Sequence, residues 1–292
     1  MAITASMVKE LRERTGLGML ECKNALVEAD GDMEKAIEEL RKKSALKAAK
    51  KSGRTTADGL LGVRMAPDGS RGAMVEVNIE TDFAAKNEKF QAFVAKVADA
   101  ALTCADADVT AALNAAFSAE REALVQEIGE NITIRRAVVF VAPAGGYVCN
   151  YLHGDNRKGA LVALSRMNAE VGRDLAMHVT AMNPLVVRGE DVSAEVIEKE
   201  REIYTAQAAE SGKPADIVAK MVDGRVRKFL AEVSLLDQPF VKDPNKKVGQ
   251  LCKEAGVECL GLARFEVGEG IDREESDFAA EVAAQVKASK GG

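Results

Sequence analysis

The chain has no tryptophan, three tyrosines and nine phenylalanines in 292 residues. So few aromatic faces do not make a base-stacking platform for single-stranded nucleic acid. Cations are not in excess either: 40 Lys and Arg against 46 Asp and Glu leave a formal charge of −6. Affinity for a phosphate backbone rests on neutralising it, so a dedicated nucleic-acid binder is disfavoured. The five cysteines, Cys22, Cys104, Cys149, Cys252 and Cys259, are widely spaced and include no CxxC pair. That odd set is neither a disulfide framework nor a zinc site, and buried thiols in a reducing compartment are the expectation. No apolar run approaches the roughly 20 residues that span a bilayer. The opening MAITASMVKELRERTG places its apolar residues at helical spacing and includes acids, unlike a signal peptide. A cytoplasmic protein with no membrane partner follows as the expectation. GxSxG, the phosphate-binding GxxxxGK[ST], HExxH and the EF-hand loop do not occur. Their absence favours a binding protein over an enzyme and calls for no cofactor or metal.

At about 150 residues per domain, the length suggests two domains. Residues 1–52 read as three short helices, a docking module followed by a basic linker. The first spans Ala5 to Thr15, with Thr4 or Ser6 as cap and Met7, Val8 and Leu11 on one face. Gly16-Leu17-Gly18 breaks it. The second spans Met19 to Ala29 with Leu20, Ala25 and Leu26 inward. The third runs from Met33 towards Ser44, capped by Asp32, with Ala36, Ile37 and Leu40 inward. Arg41 to Arg54 then holds seven cations and no acid. Two readings are open for it: a nucleic-acid patch, or cations favoured at a helix C-terminus and running into a solvated linker. Ala48-Ala49 and Ser52-Gly53 suit a hinge.

An internal repeat follows. Gly59 and Gly146 stand 87 residues apart, as do Gly72 and Gly159, Val75 and Val162, and Asp68 and Asp155. Each copy reads as a hairpin of two strands, turning at Pro67-Asp68-Gly69-Ser70 and at Gly154-Asp155-Asn156-Arg157. A helix follows each hairpin, and there Phe93 matches Leu175 at an offset of 82. The second copy is therefore five residues shorter between strand and helix. The first copy's extra length falls on Thr81-Asp82-Phe83-Ala84-Ala85-Lys86, between the strand-like Ala73–Ile79 and the helix-like Asn87–Leu102. Loops on rigid scaffolds concentrate binding residues. The alternative is structural: Thr81 or Asp82 caps the next helix and Phe83 packs beneath it.

Ala119–Gly129 is helical, and Ile132–Val141 is β-branched and reads as a strand. From Val192 to Val233 apolar residues thin to Val192, Val196, Ile203 and Ala206, then Ile217, Met221, Val222, Val226 and Phe229. With a break at Ser211-Gly212-Lys213-Pro214, this predicts an antiparallel helical hairpin projecting from the body. A last helix is expected from Asp272 to Lys287 with Phe278 as its apolar anchor. Of the two histidines, His153 lies beside the second turn, where the first copy has Ala66. His178 sits in an apolar helical run and reads as a core residue. The fold class is α+β, in units of 1–52, 53–142, 143–191, 192–233, 234–270 and 271–292.

Four stretches, VKELRERTGLGMLECKNAL, TDFAAKNEKFQAF, AEVIEKE with SGKP, and QPFVKDPNKKVGQL with RFEVGEGI, stand in order along nearly the whole chain. Through them it resembles the bacterial elongation factor Ts family, the nucleotide-exchange factors of elongation factor Tu. The resemblance implies a ubiquitin-associated-like three-helix module, two homologous antiparallel subdomains, a projecting helical hairpin and a C-terminal helix. It implies elongation factor Tu as partner, both GDP-bound and nucleotide-free, no direct nucleic acid, and permits a two-to-two assembly. Thr81, Asp82, Phe83 and Ala84 match the loop that disturbs Mg²⁺ coordination in the partner, with Ala84 where the family often has Val. Arg12, Met19 and Leu20 match the docking surface of the first module, and His153 a histidine near the interface. A thiol or histidine enzyme using Cys104 or His153, and an RNA-binding module using Arg41 to Arg54, are the competing classes.

Overall fold

The structure, a computed structural model, describes residues 3–209 and 214–272. The helix expected from Asp272 to Lys287, with Phe278, lies outside the described residues save for Asp272, and Ser211, Gly212 and Lys213 lie outside them too. Helices α1 (Ala5–Thr15), α2 (Met19–Glu28) and α3 (Met33–Lys51) form the first module. Thr4 caps α1 by accepting from the Met7 N–H, and Asp32 caps α3 by accepting from the Lys35 N–H. Val8, Leu11, Cys22, Leu26 and Leu40 meet in a small core.

The basic linker of the sequence reading is not a linker. α3 continues through Lys51, and Ala48, expected at a hinge, packs against the core of the next unit. Five of the seven cations are engaged: Lys42 with Glu38 and Glu39, Lys43 with Glu28, Lys47 with Glu21, Lys51 with the Gly129 carbonyl, and Arg54 with Glu80. Four of these five face carboxylates, which weakens the local positive field. Across this seam α3 lies along a later helix, α7 (Ser118–Ile128), and the Ser44 hydroxyl donates to Gln126 of that helix. Gln126 in turn donates to Glu21 of α2 at 3.0 Å.

The first subdomain runs β1 (Asp58–Met65), β2 (Arg71–Ile79), α4 (Asp82–Ala85), α5 (Glu88–Thr103), α6 (Val109–Ala116), α7 (Ser118–Ile128) and β3 (Ile132–Val141). The second runs β4 (Tyr147–Leu152), β5 (Lys158–Leu164) and α8 (Ala169–Met182). After an insertion it resumes with β6 (Pro239–Phe240), β7 (Asp243–Lys247), α11 (Val248–Glu254) and β8 (Cys259–Glu266). Each copy is an antiparallel three-stranded sheet, β1-β2-β3 and β4-β5-β8, with its helix on one face.

The repeat is geometrical down to single contacts. A Cβ on Gly59 would meet the Val77 carbonyl at 2.2 Å, and one on Gly146 the Leu164 carbonyl at 2.8 Å, which are partners at the same offset of 87. Gly72 is pressed by Met65 and Val148, and Gly159 by Leu152 and Leu61, again equivalent residues. The β-bulges fall at Glu76/Val77 and at Ala163/Leu164. The hairpin tips cross: the Leu61 N–H donates to the Asn156 carbonyl at 2.7 Å, and the Val148 N–H to the Gly69 carbonyl at 2.8 Å. The two subdomains are thus joined by a reciprocal pair of backbone bonds about a pseudo-twofold axis, with Leu61, Met74, Leu161 and Val267 packed between the sheets.

The inserted pair α9 (Ala194–Ala209) and α10 (Ala215–Val233) packs on itself, touching the body at short turns beside residues 189–191 and 235–237. Its seam is Ile197, Tyr204 and Ala208 against Val218, Val222, Val226 and Leu230. The expected stripe on α9 is therefore displaced by one residue, because Val196 and Ile203 face solvent. No described helix is long and apolar enough to cross a membrane.

His178 is fully buried in α8, as the core reading expected. Its Nδ1 accepts from the Val241 N–H at 3.1 Å, so the proton sits on Nε2, which donates to Gln238 Oε1 at 2.8 Å. Burial pushes the His178 pKa below its ordinary value. The fold therefore favours the neutral ring, and this contribution to stability is complete above the unfolded pKa near 6.5 and falls as the pH drops below it. Urea midpoints should therefore be lower at pH 5.5 than at pH 7.5, with a slope that sets in below about pH 6.5. A His178→Leu variant, less stable overall, should lack that slope, and a retained slope would refute the assignment.

Candidate functional site: a clamped turn that exposes Phe83

β2 ends at Ile79 and the chain enters α4, a single helical turn. Thr81 caps it: its Oγ1 accepts from the Ala84 N–H at 3.1 Å. The long helix α5 has its own cap in Asn87, which accepts from the Lys89 and Phe90 N–H groups. A lone turn is marginal in water, because nucleation fixes several residues for one hydrogen bond. Here it is held from two sides. Inward, Ala84 and Ala85 are buried in the first core with Val77, Ile79 and Phe90. Outward, both oxygens of Glu130 accept from Thr81, Oε2 from its N–H at 3.0 Å and Oε1 from its hydroxyl at 2.8 Å. The arrangement is reciprocal, since Glu80 Oε1 accepts from the Asn131 N–H at 2.6 Å. Asn131 Nδ2 donates to the Arg54 carbonyl at 3.0 Å, which ties the clamp to the end of α3.

Phe83 does not pack beneath the helix. Its side chain is 83% exposed, the largest exposure among the exposed large apolar residues of the described chain. Fully burying such a ring is worth about 1.5–3 kcal/mol, and this one is presented to whatever can bury it. Asp82 is exposed beside it and pairs with Lys86 at 3.0 Å. That bond with Lys86 holds the Asp82 carboxyl below the usual carboxylate range, with Arg157 adding to it. Ala84, by contrast, faces the core, so the outward residues of the turn are Thr81, Asp82 and Phe83.

Arg157 belongs to the turn of the second hairpin. It pairs at 2.7 Å with Asp58, the register partner of Ile79. The second hairpin's turn and the Phe83 turn therefore meet at one end of β1. His153 lies at that turn, exposed, with Nδ1 3.0 Å from Asp155 Oδ1. The structure thus places His153 on the hairpin turn whose Arg157 reaches Asp58, opposite the Ile79 that precedes Thr81, Asp82 and Phe83. Arg12, Met19 and Leu20 are on the three-helix module, all exposed. Leu20, expected inward from its spacing, is 71% exposed and Met19 50%; Cys22, Ala25 and Leu26 fill the module's core instead. The module that carries these two apolar side chains is joined to the subdomain that carries Phe83 by the α3–α7 seam. Burial pushes the thiols of Cys149 and Cys252 up to about 11 and that of Cys259 to about 12, which makes these three poor nucleophiles. Sequence reasoning missed Glu80, Glu130 and Asn131, whose pairing across about 50 residues leaves no local signature.

A family model described as Elongation factor TS matches residues 80–269, which include the turn and both sheets' third strands. Elongation factor Ts of Hahella chejuensis is 60% identical over 286 residues, covering 98% of this chain and 99% of that one. Its namesake in Saccharophagus degradans is 57% identical over 290 residues, covering 99% and 100%. That of Escherichia coli O139:H28 is 54% identical over 287 residues, covering 98% and 99%. The chain belongs to the elongation factor Ts family.

Proposed function

We propose that this chain is the guanine-nucleotide exchange factor of elongation factor Tu in the elongation step of protein synthesis. In this reading it acts by binding, without covalent chemistry, in the cytoplasm where translation runs. The observation that carries it is Phe83, an unburied ring on a turn fixed by Thr81, Glu130 and the two buried alanines. The ring enters between packed helices of the partner beneath its nucleotide site, and Asp82 accompanies it. Packed interiors transmit displacement, so the Mg²⁺ and phosphate site above is disturbed. Magnesium supplies much of the charge that holds the phosphates, and its loss loosens GDP. The factor binds nucleotide-free partner better than GDP-bound partner, and by linkage it weakens GDP binding by the same factor. Met19, Leu20 and Arg12 dock the first module, and His153 stands at the edge of the contact. The reading permits a two-to-two assembly with the partner.

The test is stopped-flow release of fluorescent GDP from elongation factor Tu, with the chain at substoichiometric concentration. Accelerated, multiple-turnover release is expected. Release at the intrinsic rate would overturn the reading.

A further inference from the structure

We infer that Glu130 is the positioning residue for the turn that carries Phe83, and that residues 129–131 set this turn against the three-helix module. The inference rests on the exchange reading for its functional half and on geometry alone for its structural half.

A ring that is 83% exposed makes too little contact to fix its own place. Its place is fixed by the backbone of α4, and α4 is too short to stand alone. The Thr81 hydroxyl has one proton to give. That proton goes to Glu130 Oε1, which turns the oxygen's lone pairs towards the Ala84 N–H. Glu130 Oε2 meanwhile holds the Thr81 N–H. One carboxylate therefore orients both the cap's side chain and its backbone. Bonds to an ionised acceptor are the stronger kind, about twice a neutral pair. Glu130 is itself anchored through its neighbours. The Gly129 carbonyl accepts from Lys51, and Asn131 reaches the Ser52 and Arg54 carbonyls, so both sides of Glu130 are tied to the end of α3.

The repeat supplies an internal control. Third strands of the two copies correspond at an offset of 125, as Ile134 and Cys259 show through their pairing with Val77 and Leu164. At that offset Glu130 corresponds to Ala255 and Asn131 to Gly256. The carboxylate is present in the copy with the extra turn and absent from the copy without it. A residue needed by the shared fold would have a counterpart in both.

The experiment compares Glu130→Ala and Glu130→Gln in the full chain. In the free protein, amide hydrogen exchange at Ala84 should accelerate by about tenfold or more in Glu130→Ala, while Val75 and Val77 in the core strand stay protected. With partner, the maximal rate of GDP release at saturating factor should fall by about tenfold, the effect expected of a misplaced functional group, with the half-saturating concentration little changed. Glu130→Gln retains one acceptor and should recover part of the rate. In a Phe83→Ala background Glu130→Ala should add no further loss, because the residue acts through the ring. Unchanged Ala84 exchange, or a loss that multiplies on top of Phe83→Ala, would overturn the inference. If Phe83→Ala alone leaves release unchanged, the exchange reading of the turn falls, while Ala84 exchange still decides whether Glu130 fixes it.

Discussion

Phe83→Ala should slow factor-stimulated GDP release by about ten- to a hundredfold, the rate equivalent of the 1.5–3 kcal/mol gained by burying the ring. The loss should appear in the maximal release rate more than in the docking affinity. Met19, Leu20 and Arg12 still present the first module's surface, and they are held by α3 and α7 independently of the ring. Stability should stay within about 0.5 kcal/mol, the usual range for a surface substitution, since the side chain contributes little packing to the free protein. A urea midpoint shared with the parent chain, together with slowed release, separates a lost contact from a damaged fold. Stopped-flow release at saturating factor makes the measurement, and an unchanged rate would remove Phe83 from the mechanism. Asp82→Ala should do less. Its ion pair with Lys86 is solvent-exposed on both sides, and exposed pairs contribute little to the free protein.

Much of this site was legible in the sequence because the repeat supplied a ruler. Gly59, Gly72, Gly146 and Gly159 recur at one offset because each backbone is approached by an equivalent neighbour in its own copy or across the pseudo-twofold axis. Once the offset is known, the extra residues around Thr81 stand out as something the shared fold does without. Local signals also placed the cap at Asp32 and offered Thr4 beside Ser6 for α1, whereas Thr81, offered as a cap of the long helix, caps the separate turn α4 and Asn87 caps α5. What failed were cases where position depends on a distant partner. α2 is apolar nearly all round, with Met19, Leu20, Cys22, Ala25, Leu26 and Val27, so spacing alone could not decide that Leu20 faces out. On α9 two stripes one residue apart compete, and Val222 and Val226 of α10 select the one through Ile197 and Tyr204. α3 outran its expected end because α7 offers it a surface, and the Lys51 contact with Gly129 spans 78 residues. The clamp at Glu130 is of the same kind, since a carboxylate at the end of a helix has no signature for a cap 49 residues earlier.

Glu76→Ala should be the most destabilising single change in the joint between the subdomains, at about 3 kcal/mol, the low end for breaking a buried ion pair. The Glu76 side chain is fully buried at the bulge of β2. It accepts from the Gly268 N–H at 2.9 Å, Arg135 Nη1 at 3.0 Å, Arg136 Nε at 2.5 Å and Asn78 Nδ2 at 3.1 Å. Removing it strands those donors, although both arginines are about a quarter to a third exposed and recover some solvation, hence the low end. Its counterpart in the second copy is Ala163, so the fold of a single subdomain does not require the charge. What requires it is the return of the chain at Gly268, where a Cβ would meet the Ala57 carbonyl at 2.2 Å and only glycine fits. Glu76→Gln keeps the shape and should lose about 1–2 kcal/mol, the difference between a charged and a neutral acceptor. Burial alone would raise the Glu76 carboxyl, but the Gly268 N–H, Arg136 and Arg135 outweigh it and hold the pKa below the ordinary value. The stabilisation it supplies is therefore present above the unfolded pKa near 4.3 and is lost as the pH falls through the folded value. Urea midpoints of parent and Glu76→Gln should accordingly converge as the solution is acidified below about pH 4. Equal midpoints for parent and Glu76→Ala at pH 7 would refute the joint. Gly268 follows Val267, whose N–H donates to the Arg157 carbonyl in the second hairpin's turn at 2.8 Å, so the joint bears on where that turn and His153 stand. Loosening it should lower stimulated GDP release at temperatures where the chain is still folded, through geometry rather than through any contact Glu76 makes with a partner.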